Sequence, residues 1–218
     1  MSRGSGDAGQ AFPVYIAAIA GLLFLGFVYF VVGQAGATRS SAQTAADAAA
    51  LAAAQDARDQ LREGWLAVIL DPGQWDDFRR GIVYDVPLAC QRADDFAGRN
   101  GADVLGGSCL RLSGQEGFSV TVSTRESVGL PGTEARHAVA TAKAVIEPKC
   151  TFKPPEEPEP EVTEPDPDPT EPGEEPVPEP EPITGLTCDG EAWTIDPENP
   201  ELPAIEDLFT VRLAGDEE

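Results

Sequence analysis

Residues 11–32 read AFPVYIAAIAGLLFLGFVYFVV, and residues 42–54, a short way beyond, read AQTAADAAALAAA. The first stretch is apolar on every face, and no charged residue occurs from Ala8 to Thr38. At 1.5 Å rise per residue, about twenty helical residues cross a hydrocarbon layer of roughly 30 Å. Tyr15 and Tyr29 stand near the two ends, where amphipathic rings favour the membrane interface. Pro13 falls in the first turn, where its missing N–H costs little. The run is longer than the roughly 7–15 apolar residues of a cleaved secretory signal. A soluble core helix apolar all round would need a larger protein about it. A membrane-spanning helix over residues 11–33 is therefore expected, behind a cytoplasmic N-terminus of residues 1–10.

The second stretch predicts that this helix does not stop at the membrane. Alanine is the strongest helix former and only polar helix formers interrupt it here. The helix should continue over residues 34–63, to about Glu63, with Gly33 and Gly36 as candidate bends. Ala46, Ala49, Ala50, Ala53, Ala57 and Leu61 then share one face. Side chains that small let another backbone approach closely. Two readings stay open for this face: a packing surface for partner helices, or a seat for the chain's own domain.

Downstream, residues 64–153 carry the pattern of a small α+β domain. Trp65, Leu66, Val68, Ile69 and Leu70 form an apolar cluster stopped by Asp71-Pro72-Gly73, a turn signal. A short helix is expected over residues 74–80, a short strand over 82–86, and a helix over 88–99 with Cys90, Ala93, Phe96 and Ala97 on one side. Asn100-Gly101 suits its stop. Strands are expected at 110–112, at 118–124, where Phe118, Val120 and Val122 alternate with Ser and Thr, and at 137–146. Val128-Gly-Leu-Pro-Gly between the last two reads as a turn. An antiparallel sheet packed on helices accounts for the set. Two more strand-like runs, 191–195 and 208–213, form a C-terminal β tail over 183–218. Trp193 and Phe209 would be its core residues, pairing with each other or with the main sheet.

Between domain and tail, residues 154–182 hold twelve prolines, twelve Asp or Glu, and no cation. Such a segment has nothing to bury and is expected to be disordered and extended, stiffened by proline and self-repulsion. Its carboxylates lack the loop geometry of a dedicated Ca²⁺ site. The formal charge of the chain is -23, with three lysines and twelve arginines. That excludes nucleic-acid binding, which needs clustered cations to neutralise phosphates.

Cys90, Cys109, Cys150 and Cys188 form no CxxC and no Cys/His metal spacing. An even number beyond a membrane segment suits two disulfides in an oxidising compartment, against the alternative of four buried thiols. Of three possible pairings the sequence-local one, Cys90–Cys109 with Cys150–Cys188, is preferred. A Cys150–Cys188 bridge would make the acidic segment a loop; without it, the segment would be a stalk. Charge leaves orientation undecided, since Arg3 precedes the span while Arg39, Arg58 and Arg62 follow it. The cysteines and the Pro/Glu block favour an outside C-terminus.

No catalytic constellation emerges. His137 is the lone histidine, so any Ser-His or Cys-His scheme would have to use it, and it reads as a surface residue at a strand start. Gly4-Ser-Gly6 and Gly106-Gly107 are neither phosphate loops nor dinucleotide fingerprints. Asp76-Asp77 and Asp94-Asp95 are adjacent carboxylates on different helix faces. No enzyme activity, cofactor, metal or small-molecule substrate is expected.

Gly9-Gln10-Ala11, the apolar span, and Ala42-Gln43-Thr44-Ala45-Ala46-Asp47-Ala48-Ala49-Ala50-Leu51-Ala52-Ala53-Ala54 together resemble the N-terminal module of tight-adherence (Tad) pilus-assembly proteins, the TadE/TadG-like family. The resemblance covers about residues 6–57. It implies a non-enzymatic, minor-pilin-like component of a Tad/Flp-type pilus or secretion assembly. Its single-pass helix would lie in the cell membrane, in contact with lipid and other apparatus proteins, with the C-terminal domain extracytoplasmic. Some pilin-like relatives are cut by a prepilin peptidase after a glycine, with Glu at the fifth mature position. Gly9 would be that site, but Val14 occupies the fifth position, so no cleavage is expected. The alternative function is a surface-exposed binding or adhesion protein that uses the same anchor.

Overall fold

The computed structural model describes residues 11–127, 136–155 and 181–215. One helix, α1 (Ala11–Ala67), fills the first quarter of the chain and is continuous through Gly33 and Gly36. A one-turn 3₁₀ segment (Pro72–Gln74), α2 (Trp75–Arg79) and α3 (Val86–Arg99) follow. Then come β1 (Ala102–Arg111), β2 (Gly117–Ser127), β3 (His137–Pro148), β4 (Cys150–Phe152), β5 (Ile183–Cys188), β6 (Glu191–Ile195), α4 (Ile205–Leu208) and β7 (Phe209–Leu213). All strand pairs are antiparallel, in a four-stranded sheet of order β1-β2-β3-β7 and a three-stranded sheet of order β4-β5-β6. The class is α+β, as expected.

The sheet folds against the distal part of α1, not beside it. Along β2, Phe118, Val120 and Val122 point inward, and along β3 Ala142, Ala144 and Ile146 do the same. These side chains share one core with Ala45, Ala46, Ala49, Ala50, Ala53, Ala57, Leu61 and Trp65 of α1. α1 also meets α3, which reaches β1 as well and whose Ala89, Ala93 and Ala97 recur every fourth residue and are fully buried. Alanine facing alanine lets two helices approach toward the close end of the usual 8–10 Å separation. The helix that begins bare thus ends as the central element of the domain.

Several elements depart from expectation for local reasons. No strand forms at 82–86, because Asp85 caps α3 instead: its carboxylate accepts from the Leu88 N–H at 2.9 Å, with Pro87 in the first turn. Gln60 secures that start from α1, its Oε1 accepting from the Asp85 N–H at 2.7 Å. The strand expected at 110–112 extends back to Ala102. Its register shifts between Val104 and Cys109, around Gly106-Gly107, and such a bulge erases the period-two pattern. The tail strands do not pair with each other. β6 joins β5, and β7 completes the main sheet against β3, so residues 183–213 belong to the same core as the domain before them. The expected turn at 128–132 lies outside the described residues.

Both disulfides are formed, Cys90–Cys109 tying α3 to β1 and Cys150–Cys188 tying β4 to β5. Their separations of 19 and 38 residues correspond, on chain-entropy grounds, to about 3 and about 4 kcal/mol. The second bridge holds the two ends of the acidic segment together, so the segment is a loop rather than a terminal stalk. Residues 156–180 of it lie outside the described residues.

Candidate functional site: the bare helix and its seat

From Phe12 to Val32, every residue of α1 is exposed except Val31, which is half-buried. Phe24, Leu25 and Phe27 are 65, 64 and 58 % exposed although they point to different sides of the helix. The stretch is long and apolar enough to cross a membrane. Val14, at the position that carries an acidic mark in some pilin-like proteins, is one of these exposed apolar residues. Gly9 lies outside the described residues.

Burial begins near Ala42 and is complete by Ala45. Ala46, Ala49, Ala50, Ala53, Ala57 and Leu61 are all fully buried, and what covers them is the chain's own sheet and α3. Of the two readings open for this face, the structure shows the second: it is the seat of the domain. The part of α1 left exposed is the apolar stretch nearer the N-terminus.

Two contacts fix the direction of the sheet along the helix. Near the proximal end the Gln43 amide reaches the Thr141 carbonyl at 3.5 Å. At the distal end Trp65 packs edge-on against Phe209, ring centroids 6.4 Å apart, and Phe209 pairs with Pro148 at the end of β3. β3 therefore runs in the same sense as α1, with His137 toward the bare stretch and Pro148 away from it. The distal cluster continues through Trp75, 6.0 Å from Trp65, and Phe152, 4.9 Å from Trp75. Phe209 is thus a core residue, while Trp193 is half-buried with its indole N–H donated to the Glu201 carbonyl at 3.0 Å.

At the proximal end, Ala37, Thr38 and Ser41 of α1 face Asn100, Gly101, Arg125 and Glu126 across an open hollow. Arg125 holds Asp103, Nε donating at 2.9 Å, and this bond keeps the carboxyl below the usual carboxylate range. His137 is exposed and pairs in register with Ser127. Toward the distal end, Tyr84 donates to the Glu116 carboxylate at 3.1 Å and lies under the Arg111 guanidinium. Burial, reinforced by the Glu116 charge, pushes the Tyr84 phenol above its ordinary value. These contacts pin the α2–α3 connection to the sheet. Among the described residues no group of three or more His, Cys, Asp or Glu is placed to hold a metal.

The class the fold defines is an α+β domain built around the distal half of one helix, whose bare proximal half is, among the described residues, long and apolar enough to cross a membrane. The helix also carries a match to a known family: the Tad family model, described as "Putative Flp pilus-assembly TadE/G-like", matches residues 9–56. Over those residues the chain is similar to that family. No curated protein and no solved structure matches the chain.

Proposed function

We propose that this chain is a non-enzymatic, single-pass component of a Tad/Flp-type pilus or secretion assembly, minor-pilin-like, with its domain outside the cytoplasmic membrane. The observation that carries the reading is the division of labour along α1. Its bare apolar part supplies a surface that only lipid or other apolar helices can cover, and its alanine-rich part is already used by the domain. The family match spans both parts of that helix. Two disulfides suit an oxidising exterior. Partner contacts in the apparatus are assigned to the bare stretch, where side chains pack within the membrane.

The test is crosslinking in native membranes followed by purification through a tag after Glu218. The expected outcome is co-recovery of the pilus ATPase–platform proteins, and loss of pili when the gene is deleted. A solitary monomer in the membrane together with intact pili on deletion overturns the proposal. Labelling the domain in intact cells with a reagent that does not cross the membrane tests its sidedness independently.

A further inference from the structure

The proximal rim of the domain concentrates positive charge in an acidic protein. Arg39 lies on α1 itself, Arg99 ends α3 directly before Asn100, and Arg125 and Arg136 stand where β2 ends and β3 begins. All four are exposed. Asp103 pairs with Arg125, and Glu126 lies beside it. Arg39, Arg99 and Arg136 have no carboxylate within 4 Å among the described residues, whereas most of the remaining arginines do. A chain of formal charge -23 would neutralise these three easily if stability were their purpose.

Their height is fixed by the helix. The apolar stretch ends at Val32, and Arg39 follows seven residues later, so about 10 Å along the axis. The hollow between Ala37–Ser41 and Asn100–Glu126 sets the α3–β1 turn and the end of β2 at the same level. Lipid headgroups add several ångströms beyond the hydrocarbon edge. The rim therefore stands within about one Debye length, ~8 Å at physiological salt, of the headgroup layer. At that range each arginine changes attraction to an anionic surface by roughly fivefold.

We infer that Arg39, Arg99 and Arg136 form a collar that seats the domain on anionic phospholipid headgroups. The inference rests on the reading of α1 as a membrane span. The collar gives the domain a preferred posture on the bilayer, because the opposite, distal end carries no such excess: there Lys149 is paired with Asp189 and Arg212 with Glu147.

The full chain, reconstituted in nanodiscs of phosphatidylcholine alone or with about one-third phosphatidylglycerol, tests this by amide hydrogen exchange. Peptides covering residues 99–104 and 123–127 should exchange roughly threefold or more slowly in the anionic discs. Raising salt from about 0.15 M to about 1 M, which cuts the Debye length to ~3 Å, should remove the difference. So should the triple variant R39Q/R99Q/R136Q, which alters three exposed side chains, with an unchanged melting temperature as the control for the Arg99 stack on Phe96. Equal exchange in the two lipids, with the protein resistant to alkaline carbonate extraction, overturns the collar and leaves the span intact. Release by carbonate overturns the span and the collar with it.

Discussion

Trp65 and Trp75 sit side by side in the distal core, yet their indole N–H groups fare differently. Trp75 donates to the Val68 carbonyl at 3.1 Å, while Trp65 Nε1 is buried without an acceptor among the described residues. An unpaired buried donor costs about 1–3 kcal/mol, and a satisfied hydrogen bond is worth about 1 kcal/mol. Replacing either indole by phenyl removes similar apolar area. Trp65→Phe should therefore be less destabilising than Trp75→Phe, by about 1–3 kcal/mol, in urea unfolding of the detergent-solubilised protein. Equal costs would mean that Trp65 finds a partner. None of this was legible in the sequence. Trp65 reads there only as the first residue of an apolar cluster, since an indole's acceptor comes from whichever carbonyl the fold brings near. The same holds for the basic collar: Arg39, Arg99 and Arg136 have no periodicity in common, and only the course of β3 along α1 puts them at one level.

Among the elements, those set by local chemistry were readable. The apolar run, the alanine helix and the Asn100-Gly101 stop each act within a few residues, and Gly101 adopts φ 71°, as a helix-ending glycine does. What was unreadable depended on distant pairing: the bulge in β1 and the joining of β7 to β3. That last joint carries an ion pair, Glu147 with Arg212, whose Nε donates at 3.0 Å. The bond to Arg212 holds the Glu147 carboxyl below its ordinary value. A carboxyl depressed by folding adds stability above the unfolded value, near 4.3, and loses it as pH falls through the folded value. The melting temperature of the parent should therefore exceed that of Glu147→Gln at neutral pH by a small margin, because the pair is exposed. The margin should shrink as the pH falls below about 4.3 and be lost below the folded value. A difference that stays constant from pH 7 to pH 3 would assign the effect to packing rather than to charge.

At the scale of the whole molecule, the strands beyond the acidic segment are part of the core. Leu186, Ile195, Leu208 and Phe209 are at most 1 % exposed, and each lies C-terminal to the acidic segment. Losing buried side chains of this size costs about 2–5 kcal/mol apiece, against a total stability of about 5–15 kcal/mol for a domain. A chain truncated after Lys153 should consequently fail to fold, and losing pili in that variant would say nothing about the segment itself. An internal deletion of residues 158–178 is different. Pro155 and Glu181 border the same hollow beside Phe152 and Ile183, so a short turn can rejoin them. The Cys150–Cys188 bridge closes that loop in the unfolded chain as well, so halving its length should change stability by no more than roughly 0.6 kcal/mol. The deletion also removes eight carboxylates, which lessens self-repulsion. The expected result is an unchanged melting temperature, both disulfides intact by mass spectrometry, and pili assembled as in the parent. Loss of a surface-binding activity with pili retained would move function to the acidic segment and favour the adhesion reading. A lowered melting temperature would show that the segment packs on the domain, and that the core drawn from residues 45–209 is incomplete.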